Sequence, residues 1–114
     1  MADEIVYVDI ADGAKRIMNN TQLYIKLLTK FRNNNNLDDL DAAFTAGDME
    51  KAKNAVHTIK GIAANLSLSE LYKQSLELEL QVKNDTAVTA QLETVKSVFT
   101  ATLQEIDKVI LKNG

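Results

Sequence analysis

His57 is the only histidine in the 114-residue chain, and it stands in the run AVHTIKGIAANL with Lys60 three residues on and Gly61 four on. A neutral imidazole is a good nucleophile near neutral pH, because its ordinary pKa of about 6.5 leaves most of the ring unprotonated. Attack on an acyl phosphate or a similar donor would give an N-phosphoryl histidine, with His57 as phosphoacceptor. An ammonium at i+3 on a helix shares the histidine's face and can stabilise a dianionic phosphoryl group, which makes Lys60 the phosphate-stabilising candidate. Lys53, at i−4, can add to the field that a docking partner meets. Glycine inside a helix costs roughly 0.5–1 kcal/mol relative to alanine. At Gly61 the simplest benefit is clearance for a surface approaching the imidazole, and Ala64, next along that face, is small as well.

Other chemistries lack their parts. Di-iron sites in helical bundles need Glu-x-x-His pairs from several helices. One histidine, with Asn54 rather than an acid three residues before it, cannot supply them, so no metal site is expected. A Ser/His/Asp arrangement needs an enclosed pocket, whereas this histidine is expected on a convex helix surface. There is no glycine-rich phosphate loop, so ATP binding by that device is excluded and the chain is not expected to be an enzyme. A single exposed histidine beside a lysine is also what an ordinary solvated helix surface presents. On the residues alone the two readings stand about level.

The elements that must position these residues follow from helical periodicity. Over residues 49–66, Ala52, Ala55, Val56, Ile59, Ile62, Ala63 and Leu66 fall in one apolar arc of roughly a third of the helical wheel. His57 projects roughly 160° from the centre of that arc, toward water, beside Lys53, Lys60, Gly61 and Ala64. Gly47 is a suitable residue to end the preceding helix, and Asp48 to cap this one. Upstream, Asp9 can cap a short helix over 9–18 with Ile10, Ala14 and Ile17 at helical spacing. Asn19-Asn20-Thr21 interrupts it and offers the next cap. Leu23, Leu27, Leu28 and Phe31 trace a stripe that Leu37, Leu40 and Phe44 continue, which permits one long bent helix over 21–46. The Asn33–Asn36 run predicts a kink, distortion or short break within it, since asparagine competes for backbone hydrogen bonds. Ser67 with Glu70 matches a capping box opening a helix over 68–83, whose inward face is Leu71, Gln74, Ser75, Leu78 and Val82. Asn84-Asp85 makes a turn, and a last helix over 87–112 carries Val88, Leu92, Val95, Phe99, Ile106 and Ile110. Short connections between long amphipathic helices predict antiparallel neighbours. The expected fold is all-α, an up-down-up-down four-helix bundle with a short extra N-terminal helix, in one domain spanning 1–114.

Composition agrees with that class. There is no proline, four glycines and 5% aromatics, too few turn residues for a sandwich or barrel. Cysteine is absent, which removes disulfides and thiolate metal sites and fits a reducing cytosol. Thirteen basic and sixteen acidic residues are spread evenly, for a net charge of −3, so no basic stripe exists to bind nucleic acid. Apolar runs are too short for a membrane span. The segment MADEIVYVDI lacks the basic start and apolar core of a secretory signal. A cytoplasmic monomer is expected.

The run His57 to Leu66, HTIKGIAANL, closely resembles the signature of histidine-containing phosphotransfer (HPt) domains of multistep phosphorelays. VDIADGAKRIM near the start, LYIKLLTKF, and DAAFTAGDMEKAKNAVH resemble the same family in order and spacing. The resemblance runs from about Val8 to Val82, with the last helix similar only in pattern. It implies a phosphocarrier in two-component signalling, which takes a phosphoryl group from a receiver-domain aspartate onto His57 and passes it to another receiver. It assigns Lys60 to phosphate stabilisation and Gly61 to clearance. Glu79 matches a position where the family often has an acid or amide that bonds the imidazole, which implies that it accepts from Nδ1–H and leaves Nε2 for phosphorylation. The resemblance also implies response-regulator receivers as partners, with a hybrid sensor histidine kinase a further one. It implies no cofactor in this chain, Mg²⁺ being held by the receiver. The alternative it leaves is the substrate domain of a chemotaxis-type histidine kinase, phosphorylated from ATP by a separate kinase domain. The family usually has glycine where this chain has Ser67, which puts the expected turn geometry there in question.

Overall fold

The computed structural model describes residues 5–34, 36–84 and 88–113. Among them the regular structure is wholly helical. The helices are α1 (Ile10–Lys15), α2 (Thr21–Arg32), α3 (Asn36–Thr45), α4 (Met49–Asn65), α5 (Ser69–Lys83) and α6 (Thr89–Asn113). Side-chain caps open three of them. Asp9, Asn20 and Asp48 accept from the backbone N–H groups of Asp12, Leu23 and Lys51, satisfying donors that a helix start leaves unpaired. The α3–α4 turn runs through Gly47 at φ +71°, in the left-handed region where glycine carries no Cβ penalty. The expected turn residue Asp85 and the expected start of the last helix at residue 87 lie outside the described residues, as does Asn35 of the asparagine run.

In place of one bent helix over 21–46 there are two. Asn33 ends α2, its N–H on the Thr29 carbonyl at 3.1 Å, and the Asn34 N–H reaches back to Phe31 at 3.1 Å, a tightened i−3 turn that stops the helix. The short first helix is also shorter than 9–18. Consecutive left-handed residues, Met18 at φ 60° and Asn19 at φ 60°, follow it and turn the chain toward α2. The phase of α2 differs from the expected stripe: Tyr24, Leu28 and Phe31 are buried, while Leu23 is exposed and Leu27 half-buried. Tyr24 reaches the core because its hydroxyl has a buried partner there, the Leu66 carbonyl at 2.6 Å.

Helix α4 packs against α3 on one side and α5 on the other, α5 packs on α6, and α6 returns to α2. The shared core includes Leu28, Leu40, Val56, Ile59, Leu71, Leu78, Val95, Phe99 and Ile106. Phe31 and Phe99 meet at 5.2 Å between ring centroids, tilted by 38°, a pairing worth about 0.5–1.5 kcal/mol beyond the area it buries. Thr102, absent from the expected stripe of α6, is fully buried, its hydroxyl donating to the Val98 carbonyl at 2.7 Å. Ion pairs tie α6 to the front of the chain: Arg32 holds Asp107, and Lys96 holds Asp41 at 2.9 Å.

The α4–α5 turn departs from a capping box. Ser67 lies in left-handed backbone at φ 55°, and Leu68, fully buried, occupies the cap position of α5 without a side-chain bond. The N-terminal segment supplies the missing partners. The Val6 carbonyl accepts from the Glu70 N–H at 3.1 Å, and the Asp9 N–H donates to the Ser67 carbonyl at 3.0 Å. Freed from capping, the Ser67 hydroxyl donates to Asp12 at 2.5 Å and accepts from Arg16 Nε at 3.1 Å. The bonds from Ser67 and Arg16 hold the Asp12 carboxyl below the ordinary carboxylate range. Turning the chain this sharply is what lets Leu68 enter the core.

Candidate functional site

The inner face of α4 buries Ala52, Val56, Ile59 and Ala63, and this fixes the rotation of the helix about its axis. His57 is then driven outward, with 70% of its side chain exposed. On α5, Leu71, Ser75 and Leu78 point into the core. Glu79, one residue past Leu78, is carried sideways to the seam with α4. There its two carboxylate oxygens divide between two residues of α4. Oε2 lies 2.8 Å from His57 Nδ1, and Oε1 accepts from Lys60 Nζ at 2.6 Å. Lys60 and Glu79 are mostly sheltered, at 21% and 18% exposure, so their pair is screened less than a fully exposed one.

The hydrogen bond from Lys60 first, and that from His57 after it, lower the Glu79 pKa from its ordinary value, against partial burial that raises it. Near neutral pH the carboxylate is therefore ionised and can only accept. The proton between it and the ring must then sit on Nδ1, which leaves the lone pair on Nε2. Fixing a tautomer through the other ring nitrogen is the general means of orienting an imidazole for chemistry.

The surroundings of the ring are open. A Cβ added at Gly61 would meet nothing within 4 Å among the described residues, so their packing does not require glycine there. Ala64 is half-buried and lines a shallow groove with Asp12, Arg16, Ser67 and Tyr72. Lys53 is exposed on α4, one turn before His57. Among the described residues, no group of three or more His, Asp or Glu side chains could hold a metal ion. None of the described helices is long and apolar enough to cross a membrane.

The structure thus brings His57, Lys60 and Glu79 into one bonded cluster, with Gly61 and Ala64 along the same helix. Sequence reasoning did not find the direct Lys60–Glu79 bond, because it joins two helices and has no spacing signal. Nor did it find the close fit of Gly13 against Tyr24, where a Cβ would stand 2.2 Å from ring atom Cε1. That fit holds the phenol on Leu66 at the end of α4, and burial pushes the Tyr24 pKa well above the ordinary tyrosine range, keeping it a donor.

Residues 27–109 match the family model described as Hpt domain, a span well over half of the chain that contains His57, Lys60, Gly61 and Glu79. No curated protein and no solved structure gives a significant match.

Proposed function

Since the chain belongs to the Hpt domain family, a family of phosphocarriers rather than catalytic enzymes that work with receiver domains, we propose that His57 is its phosphoacceptor. On this reading the chain accepts a phosphoryl group from the aspartyl phosphate of one receiver and delivers it to the aspartate of another. The observation that carries the reading is the bond between His57 Nδ1 and Glu79 on a ring otherwise turned to solvent.

In the loading step the Nε2 lone pair attacks phosphorus, forming the N–P bond. The P–O bond to the receiver's carboxylate breaks, and that carboxylate leaves with the bonding pair. The ring, still protonated on Nδ1, becomes a phosphoryl-imidazolium whose positive charge faces the Glu79 carboxylate. Glu79 stabilises the charge as it develops and needs no rearrangement to do so. Delivery is the reverse: a receiver carboxylate attacks phosphorus and the imidazole leaves neutral, its Nδ1 proton kept throughout. Lys60 keeps further N–H donors beyond the one on Glu79, and these suit phosphoryl oxygens. Mg²⁺, on this reading, would be held by the receiver and would supply neutralising charge to the transferring group there. Gly61 and Ala64 let the receiver's surface come close enough for in-line attack, and Lys53 adds positive potential to the approach.

The test is incubation with a phosphorylated receiver, followed by mapping of acid-labile, base-stable phosphate. Wild type is expected to carry label on His57, and His57→Gln to carry none while keeping its helical content. Label retained by His57→Gln would remove His57 from the role.

A further inference from the structure

Serine is an unfavourable residue for the turn between α4 and α5. Its φ of 55° at Ser67 lies in the left-handed region, which disfavours a side chain with a Cβ and leaves glycine unaffected. What serine adds over glycine is its hydroxyl, which donates to Asp12 Oδ2 at 2.5 Å and accepts from Arg16 Nε at 3.1 Å. Both partners belong to α1 or its C-cap, so the hydroxyl ties the turn to the N-terminal segment. Little apolar surface holds that segment. Ile5, Val6 and Ile10 are exposed, Val8 is half-buried against the core, and Ala14 is buried but small. Helix α1 has six residues, far short of the length at which an isolated helix persists in water. Two backbone bonds join the segment to the same turn, Asp9 N–H to the Ser67 carbonyl and Glu70 N–H to the Val6 carbonyl. By contrast, α4, α5 and α6 share large buried side chains such as Ile59, Leu78 and Phe99. Segments with few buried apolar contacts open at lower free energy than a packed core.

We propose that residues 5–16 form a strap that opens as one unit while the long helices stay folded, with the Ser67 hydroxyl as its latch. Opening breaks the bonds of Asp9, Asp12 and Arg16 to Ser67 and that of Glu70 to Val6, and lifts Gly13 from the Tyr24 ring. Leu68 keeps its buried place, because the Ser67 backbone holds the turn in either state. The groove lined by Asp12, Arg16, Ala64, Ser67 and Tyr72 exists only while the strap is closed. Ala64 carries that groove to the face of α4 on which His57 and Gly61 stand, so a protein covering this face meets a surface with two states. A partner that touches the closed groove favours closure by the difference in its affinity for the two. The device is a property of the free chain and does not depend on His57 carrying phosphate.

The test is native-state amide hydrogen exchange of the 114-residue chain by NMR, under conditions where the rate reports the opening equilibrium. The Asp9, Gly13 and Glu70 amides, bonded to Ser67, Asp9 and Val6, report the strap. Those of Ile59 and Leu78 report the core. In wild type the three strap amides are expected to share one protection factor, at least about 100-fold below that of the core pair. Ser67→Gly removes the latch and relieves the strained backbone. Strap exchange should rise about tenfold, the scale of a hydrogen bond to a charged group, while core exchange changes less than about threefold. Ser67→Ala removes the latch and keeps the strain, so both sets should exchange about tenfold faster. Strap amides as protected as the core in wild type overturn the proposal, since the segment then opens only with the whole chain. Three unequal protection factors overturn it as well, since they report fraying and not one unit. Strap exchange at the wild-type rate in Ser67→Gly removes the hydroxyl as latch.

Discussion

Gly61 separates a residue kept for the chain's own packing from one kept for a partner. Glycine in a helix interior is roughly 0.5–1 kcal/mol less favourable than alanine, and at Gly61 no atom of the described residues within 4 Å would obstruct a methyl group. The position is exposed, inside the 17-residue α4, and one turn from His57. Gly61→Ala should therefore stabilise the isolated chain by the full propensity difference. For a chain of this size that raises the melting temperature by about 2–5 °C and the urea midpoint by about 0.5 M. Gly61→Arg should retain helicity, since arginine is a good helix former. It places a long side chain beside the imidazole, and transfer from a phosphorylated receiver should fall at least about tenfold, the loss that 1.4 kcal/mol of obstructed docking produces. Urea denaturation and a phosphotransfer time course on the same preparations provide both readings. If Gly61→Ala lowers the midpoint, the glycine serves the fold and the argument is wrong. If Gly61→Arg transfers at the wild-type rate, no partner surface approaches at that point.

Three further outcomes follow from the geometry. Gly13→Ala sets a methyl 2.2 Å from the Tyr24 ring; overpacking and loss of the buried phenol bond, less the gain in helix propensity, should destabilise by about 2–3 kcal/mol, read as a lowered urea midpoint. Ser75 is fully buried on α5 with a hydroxyl that has no partner among the described residues, so Ser75→Ala should raise stability by about 1 kcal/mol, and a destabilised variant would reveal a bond to that oxygen. Glu79 has a folded-state pKa below its ordinary value of 4.5. Its ionised form therefore contributes stability above the unfolded value, and that contribution is lost as pH falls through the native one. The stability advantage of wild type over Glu79→Gln should accordingly shrink below about pH 4.5, measured by denaturation across an acid series, and an advantage that grows on acidification contradicts the assignment.

Much of the fold was legible because helices write their faces at a fixed period. The stripe Val56, Ile59 and Ala63 sets the rotation of α4, and the outward projection of His57 follows from that phase alone. Caps at Asp9, Asn20 and Asp48 are local signals, since donor and acceptor are three residues apart. What the sequence did not carry depends on distant partners. Leu23 and Tyr24 compete for one inward position, and the tyrosine takes it because a carbonyl 42 residues away accepts its hydroxyl. Ser67 and Glu70 have the spacing of a capping box, but a carbonyl of the N-terminal segment is already bonded to the Glu70 N–H. In the site, Lys60 and His57 share a face by spacing, whereas their meeting on one carboxylate depends on how α5 lies against α4.

The N-terminal strap bears on where this module can be cut. The family match opens at residue 27, yet Val6, Asp9, Gly13 and Tyr24 hold the far end of α4 and the start of α5 in place. A fragment excised at the matched boundary would leave the Leu66 carbonyl and the Glu70 amide without these acceptors and donors, loosening the hinge between the two helices whose alignment sets the distance from Glu79 to the ring. Grafting this unit into a chimera therefore calls for a junction ahead of Ile5.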